Sequence, residues 1–291
     1  MNLTGMLDGI GAGVLAARER AGVEAIITDD GETLCKACGE PLTLALQFTG
    51  DIAKSLGERR TVPRNCKCMR DMFAAEDAAM EKQRREREIA DRKIRWLESD
   101  KYRKSTFSAD DGRHPKIRST CEKYVERYRE MIEANLGLAF IGGNGGGKTF
   151  WACCIANALI ESGASVLMTT LSKLIRDMNA DYGEQRDRIS RKIKTVDFLI
   201  IDDYGAERGT EFSLEQAFEI LDMRYSAGKP LIITANLSED NLKNPPNIKY
   251  ARSYSRIIEM CPARIEVKGE RRQEIAEQKR QELIKLLRDE R

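Results

Sequence analysis

Residues 137–161 read GLAFIGGNGGGKTFWACCIANALIE: a short apolar run, a glycine-rich loop and a helical stretch in direct succession. Residues 142–149, GGNGGGKT, fit G-x-x-x-x-G-K-[ST], with Gly142, Gly147, Lys148 and Thr149 at the fixed positions. Glycines at 142, 143, 145, 146 and 147 clear the way for backbone N–H groups to wrap a chain of phosphates, and they permit positive φ. The helix that opens near Lys148 turns its positive end toward that loop. Lys148 is expected to reach the β- and γ-phosphates of a nucleotide, and the Thr149 hydroxyl to meet Mg²⁺. Asn144 and Phe150 complete the set expected around the nucleotide. The strand before the loop and the helix after it supply the context this motif requires.

Working outward, further apolar runs at Ser165–Thr170, Phe198–Asp202, Pro230–Ala235 and Arg264–Val267 alternate with helical stretches. They are apolar on both faces rather than alternating, as in parallel strands buried between two helical layers. One intervening helix is expected to begin at a capping box formed by Ser213 and Gln216. Its face of Leu214, Ala217, Phe218, Leu221 and Tyr225 follows, and Gly228 stops it. The run at 198–203, FLIIDD, ends in two carboxylates 54 residues beyond Lys148. Strand C-termini in such sheets face the ligand crevice, so Asp202 is placed to orient Mg²⁺ through water. Asp203 is placed to orient or deprotonate an attacking water. Asn236, at the end of the 230–235 strand, is the candidate for touching the γ-phosphate or that water, with Thr234 a weaker one.

The chain has 291 residues, with 49 Lys and Arg against 47 Asp and Glu. A near-neutral balance excludes a protein that coats nucleic acid by bulk charge; any polyanion site has to be local. No apolar run approaches the roughly 18 residues of a membrane span. Met1–Arg20 lacks the basic start of a secretory leader, so the expected location is the cytoplasm. Eight cysteines are too few for a disulfide scaffold in a chain this long. Cys121, Cys153, Cys154 and Cys261 read as small buried hydrophobes. The other four form two tight pairs. Cys35-Lys-Ala-Cys38-Gly39 has the shape of a zinc knuckle, and Cys66-Lys-Cys68 adds two thiolates after 27 intervening residues. Four sulfurs suit tetrahedral structural Zn²⁺, although C-x-C departs from the ordinary ribbon spacing.

Three textures follow: a cysteine-bearing region at 1–75, a charged helical linker at 76–104 and an α/β domain at 105–291. Residues 81–104 hold ten Lys and Arg against six Asp and Glu. Such a run reads first as a solvated helix, as does the basic segment Arg186–Lys194. The final stretch, Glu270–Arg291, carries Ile275, Leu283, Ile284 and Leu287 and reads as a packed terminal helix.

From about residue 95 onward the chain resembles AAA+ ATPases of the bacterial replicative helicase loader group, the DnaC/DnaI type. The resemblance rests on GGNGGGKT, on FLIIDDYGAE at 198–207, on RYSAGKPLIITANLS at 224–238 and on RSYSRIIEMCPARIEVKGERR at 252–272. It implies a P-loop AAA+ core, a parallel five-stranded sheet between helices, preceded by a small zinc-binding-like domain and the charged linker helix. It implies ATP or ADP and Mg²⁺ as ligands, self-assembly on a hexameric replicative helicase, and delivery of that helicase onto single-stranded DNA. In the same terms Asn236 matches the sensor position, Arg256 resembles the arginine finger with Ser255 before it where Asp is common, and Arg271 or Arg272 resembles the later sensor arginine. Asp203 stands where many AAA+ proteins have Glu. The paired cysteines are similar to the N-terminal zinc domain through which DnaI-like loaders contact the helicase. Two other readings share the motifs: a transposition helper ATPase of the IstB type, which usually lacks the cysteines, and an adaptor in which nucleotide controls binding with little turnover.

Overall fold

The computed structural model describes residues 3–179, 183–205, 210–269 and 271–288. The chain divides into two compact units, residues 1–87 and 88–291.

The first unit contains α1 (Leu3–Arg20), β1 (Ala25–Ile27), β2 (Thr33–Cys35), β3 (Thr43–Gln47), α2 (Gly50–Leu56) and β4 (Arg59–Pro63). β1 pairs with β2 and β3 with β4, both antiparallel, giving two separate two-stranded sheets. Among the described residues its core is small: Ala17, Cys35, Leu42, Cys66 and Met69. A two-stranded hairpin is marginal in water, and this core is thin even for a unit of this size. Helix α3 (Lys67–Trp96) then carries the chain into the second unit. Of its described residues only Met69 is buried, which agrees with the reading of its charged part as a solvated helix.

The second unit continues with α4 (Asp100–Lys104), α5 (Pro115–Glu126), α6 (Tyr128–Glu133), β5 (Leu138–Ile141), α7 (Lys148–Glu161), β6 (Val166–Thr170), α8 (Leu171–Met178) and α9 (Gly183–Thr195). It ends with β7 (Phe198–Tyr204), α10 (Glu211–Ser226), β8 (Leu231–Ala235), α11 (Glu239–Lys243), α12 (Ile248–Met260), β9 (Ala263–Glu266) and α13 (Arg271–Arg288). The five expected strands are all present, in the order β6-β7-β8-β5-β9, and every pairing is parallel. Each strand feeds alternate residues to opposite faces. Leu199 and Ile201 join one core cluster, while Phe198 and Ile200 join the other; Ala139 and Ile141 divide from Leu138 and Phe140 in the same way. This period of two, apolar on both sides, is why the strands lack an amphipathic pattern.

Two local expectations are corrected. Helix α10 starts at Glu211, capped by Thr210, whose hydroxyl accepts from the Ser213 N–H at 3.2 Å. Ser213 lies inside the first turn and donates back to the Thr210 carbonyl, so it is not the cap. Either hydroxyl satisfies the local rule; the one at 210 is where the backbone is still extended. Helix α13 does not bury its apolar residues: Leu283, Leu286 and Leu287 are all exposed.

Arg224, fully buried in α10, ties the elements together. It donates to the carbonyls of Ile193, Val196, Asp197 and Pro230, gathering the end of α9 and the starts of β7 and β8. Burial lowers its pKa to about 9. The four scattered cysteines sit in the core as expected, and burial pushes the Cys121, Cys153 and Cys261 thiols far up.

Candidate functional site

The glycine loop joins the end of β5 to the start of α7. A Cβ on Gly142 would lie 2.8 Å from the Val267 carbonyl oxygen, and one on Gly146 would lie 2.7 Å from it. The chain after β9 thus packs directly against the loop, and only glycine fits there. Gly142, Gly145 and Gly147 take positive φ; Gly143 and Gly146 do not, so the expectation of left-handed backbone holds for part of the loop only. Gly147, at φ +102, is the N-cap of α7 and turns the chain into the helix.

The Lys148 ammonium, 7% exposed, donates to the Gly142 carbonyl at 3.0 Å, the Gly143 carbonyl at 2.7 Å and Asn236 Oδ1 at 2.8 Å. Asn236 in turn donates from Nδ2 to Asp203 Oδ1 at 3.0 Å. Thr149 donates to Asp202 Oδ1 at 2.8 Å. The structure therefore brings Lys148, Thr149, Asp202, Asp203 and Asn236 together at the C-terminal edge of the sheet, in two hydrogen-bonded sets that Thr234 joins. A β-bulge between Ile201 and Tyr204 separates the two aspartates: Asp202 is buried, and Asp203, at φ +57, is exposed. Asp tolerates this left-handed conformation better than most residues.

Thr234, a minor candidate for touching phosphate or water, is instead 1% exposed. It donates to Asp202 Oδ1 at 2.7 Å and accepts from the Asp203 N–H at 2.8 Å. Tyr102 has no counterpart in the sequence reading. Its hydroxyl donates to Asp202 Oδ2 at 2.9 Å from a residue 100 positions away. Burial first, then the Asp202 charge, pushes its pKa far above the usual tyrosine value. These residues, with Asn144, Gly145, Gly147 and Phe150, line a cleft of about 800 Å³, whose other wall includes Glu98, Lys101, Ser105 and Ile275.

Arg256 is not in this cleft. It lies on α12, donates to Asp222 at 3.1 Å and stacks over the Tyr225 ring at 3.9 Å from its centroid. Arg252, one turn earlier, is exposed. Ala206 and Glu207, at the end of the FLIIDDYGAE run, and the side chains of Arg271 and Arg272 lie outside the described residues.

The donor set fits magnesium-bound nucleotide. A side-chain-free loop at a helix N-terminus suits phosphates, a buried ammonium suits their charge, and a hydroxyl on a carboxylate suits a hard cation. In the first unit, the Cys35, Cys38, Cys66 and Cys68 sulfurs all lie within 4.8 Å of one another. Tetrahedral Zn²⁺ with bonds of about 2.3 Å requires sulfurs roughly 3.8 Å apart, so the cluster is compatible with Zn²⁺. Gly39, at φ +71, closes the first pair into a tight turn by donating to the Cys35 carbonyl at 2.8 Å. The backbone N–H groups of Glu40 and Cys68 lower the Cys38 pKa to about 6, favouring the thiolate that a metal binds. Among the described residues no helix is long and apolar enough to cross a membrane.

Comparison with known proteins places this geometry. The replicative helicase loader DnaI of Bacillus subtilis (strain 168) is 30% identical over 160 residues, 51% of this chain and 51% of that protein. The putative insertion sequence ATP-binding protein y4pL of Sinorhizobium fredii (strain NBRC 101917 / NGR234) is 32% identical over 109 residues, 37% of this chain and 44% of that one. A crystal structure of DnaI aligns at 26% identity with a TM-score of 0.45, over 60% of this chain and 93% of that chain. The chain spans about half the length of the curated relatives it matches. Residues 71–244, more than half of the chain, match the family described as IstB-like ATP binding protein. The resemblance to the DnaC/DnaI group is thereby borne out, the expected parallel five-stranded sheet between helices is present, and this chain belongs to the IstB-like ATP-binding protein family.

Proposed function

We propose that the protein is an ATPase that delivers a hexameric replicative helicase onto single-stranded DNA. The observation that carries this reading is the convergence of Lys148, Thr149, Asp202, Asp203 and Asn236 on one cleft. In it, the loop from Gly142 to Gly147 and the N-terminus of α7 hold the phosphates, and Lys148 exchanges its carbonyl partners for phosphate oxygens. Thr149 and Asp202 would hold Mg²⁺, whose charge would offset that of the phosphates when bound. Asp203, exposed and steadied by Asn236, orients the attacking water. Arg256 acts on the cleft of a neighbouring copy, leaving Asp222 to do so, and a C-terminal arginine, 271 or 272, completes the site. The domain at 1–75, folded around Zn²⁺ at Cys35, Cys38, Cys66 and Cys68, contacts the helicase; the charged helix at 76–104 links it to the α/β domain at 105–291. The loader reading draws on the similarity to DnaI together with the four-cysteine cluster.

A second reading, a helper ATPase for transposition, draws on the similarity to the insertion sequence protein. Capture of a purified replicative helicase by the full chain, compared with its Cys35→Ser variant, decides between them. A loader retains the helicase and loses it on Cys35→Ser; no retention by the intact chain under ATP, ADP or nucleotide-free conditions sinks the loader reading. Multiple-turnover ATP hydrolysis, with and without single-stranded DNA, tests the enzyme itself. Turnover no higher than that of Lys148→Ala leaves only a nucleotide-controlled adaptor.

A further inference from the structure

Asp202 is held by three hydroxyls from three separate parts of the unit. Thr149, at the start of α7, and Thr234, in β8, both donate to Oδ1. Among the described hydrogen bonds, Tyr102 alone donates to Oδ2. The segment that brings Tyr102 there is itself fastened. Asn157, 1% exposed on α7, donates from Nδ2 to the Tyr102 carbonyl at 2.8 Å and the Ser105 carbonyl at 3.0 Å. Its third partner is the Cys153 carbonyl, so three acceptors fix the amide's orientation. Leu97, just ahead of this segment, bridges to Met168 in β6.

We propose that Tyr102 is a positioning residue for the magnesium–nucleotide site: its hydroxyl sets the rotation of the Asp202 carboxylate so that the free lone pair on Oδ2 meets the water shell of the metal at Thr149. This rests on the reading of the cleft as a magnesium–ATP site. A carboxylate accepts at about four lone-pair positions, and the three hydroxyls fill three of them. Held through Oδ1 alone, it would swing about its terminal torsion, which is broad and two-fold. Mg²⁺ demands near-ideal octahedral geometry, so a carboxylate fixed beforehand spares that ordering when the ion arrives. Asn157 secures the segment from behind, out of the cleft.

The test uses the full chain and a fluorescent ADP analogue, with affinity measured as Mg²⁺ is titrated from an EDTA baseline. Tyr102→Phe keeps the ring and removes only the donor. The Mg²⁺ concentration giving half of the affinity gain is expected to rise roughly tenfold, the scale of one hydrogen bond to a charged group, while affinity in EDTA stays the same. Asn157→Ala, remote from the nucleotide, should move it in the same direction, and the double variant should be no worse than Tyr102→Phe. An unmoved Mg²⁺ dependence in Tyr102→Phe, whatever its melting temperature, overturns the proposal; a purely structural role would lower melting alone. Wild-type protein that fails to bind, or Lys148→Ala that binds as well as wild type, sinks the cleft reading and the proposal with it.

Discussion

The two units of this protein are held together by different means. Unit 88–291 buries both faces of a five-stranded sheet under helices, and each face has its own large apolar cluster. Unit 1–87 has two separate hairpins and, among the described residues, a core in which two of the five buried side chains are cysteines. Burial stabilises the first in proportion to apolar area removed from water, with no ligand required. In the second, the four thiols stand where a larger domain would have apolar packing. The contrast teaches that the units should respond to opposite treatments: metal removal should undo one, and core damage the other.

The largest effect should come from the metal. Purified protein is expected to carry about one Zn²⁺ per chain, and structural Zn²⁺ sites of this kind contribute on the order of 10 kcal/mol. Chelation or Cys35→Ser should therefore abolish protection of the 25–70 amides in hydrogen exchange while the 138–267 amides keep theirs. Loss of protection in both regions, or metal analysis that finds no Zn²⁺, breaks the comparison.

The converse experiment is Arg224→Met. Removing the guanidinium strands four buried carbonyls, at a cost of about 3 kcal/mol or more. Chemical denaturation should show the loss in the α/β unit, with Zn²⁺ content unchanged. A smaller change, within about 1 kcal/mol, would mean that water replaces the arginine at those carbonyls.

Lys148→Ala sharpens the comparison from the functional side. It should weaken nucleotide binding by roughly a hundredfold or more, read by calorimetry, and leave the thermal transitions of both units in place. The effect should be confined to ligand because the ammonium contacts only loop carbonyls and Asn236 among its described hydrogen bonds.

The smallest effect tests the corrected cap. Thr210→Ala should cost the α/β unit about 1 kcal/mol, the usual loss of an N-cap hydroxyl. Replacing Ser213 should cost less, since the described bonds of its hydroxyl return to the capping residue. The reverse order, measured by denaturant midpoints, would restore Ser213 as the structural start of the helix.

Much of this was legible along the chain because the physics is local there. The phosphate loop is readable since its glycines answer to backbone needs: positive φ at Gly147 and a close approach to Val267 at Gly142 and Gly146. The four inner strands are readable since burial on both faces leaves mostly apolar runs. The knuckle-shaped turn is readable since Cys35, Cys38 and Gly39 form it within five residues. Misreadings arose where two local solutions were equally good, as with Thr210 and Ser213. Apolar spacing is likewise no proof of packing: the leucines of α13 lie on the surface.

By itself, then, the sequence determined which segments are strands, where phosphate chemistry sits and which thiols gather. Each depends on neighbours in the chain, whose spacing is fixed by covalent geometry. Only the tertiary structure decided that Thr234 is a buried prop, that Arg224 is an internal tie and that Tyr102 reaches across 100 residues to Asp202. A hydrogen bond between distant residues imposes no period and no composition on the intervening chain; it exists only once the sheet has closed and brought its partners within 3 Å.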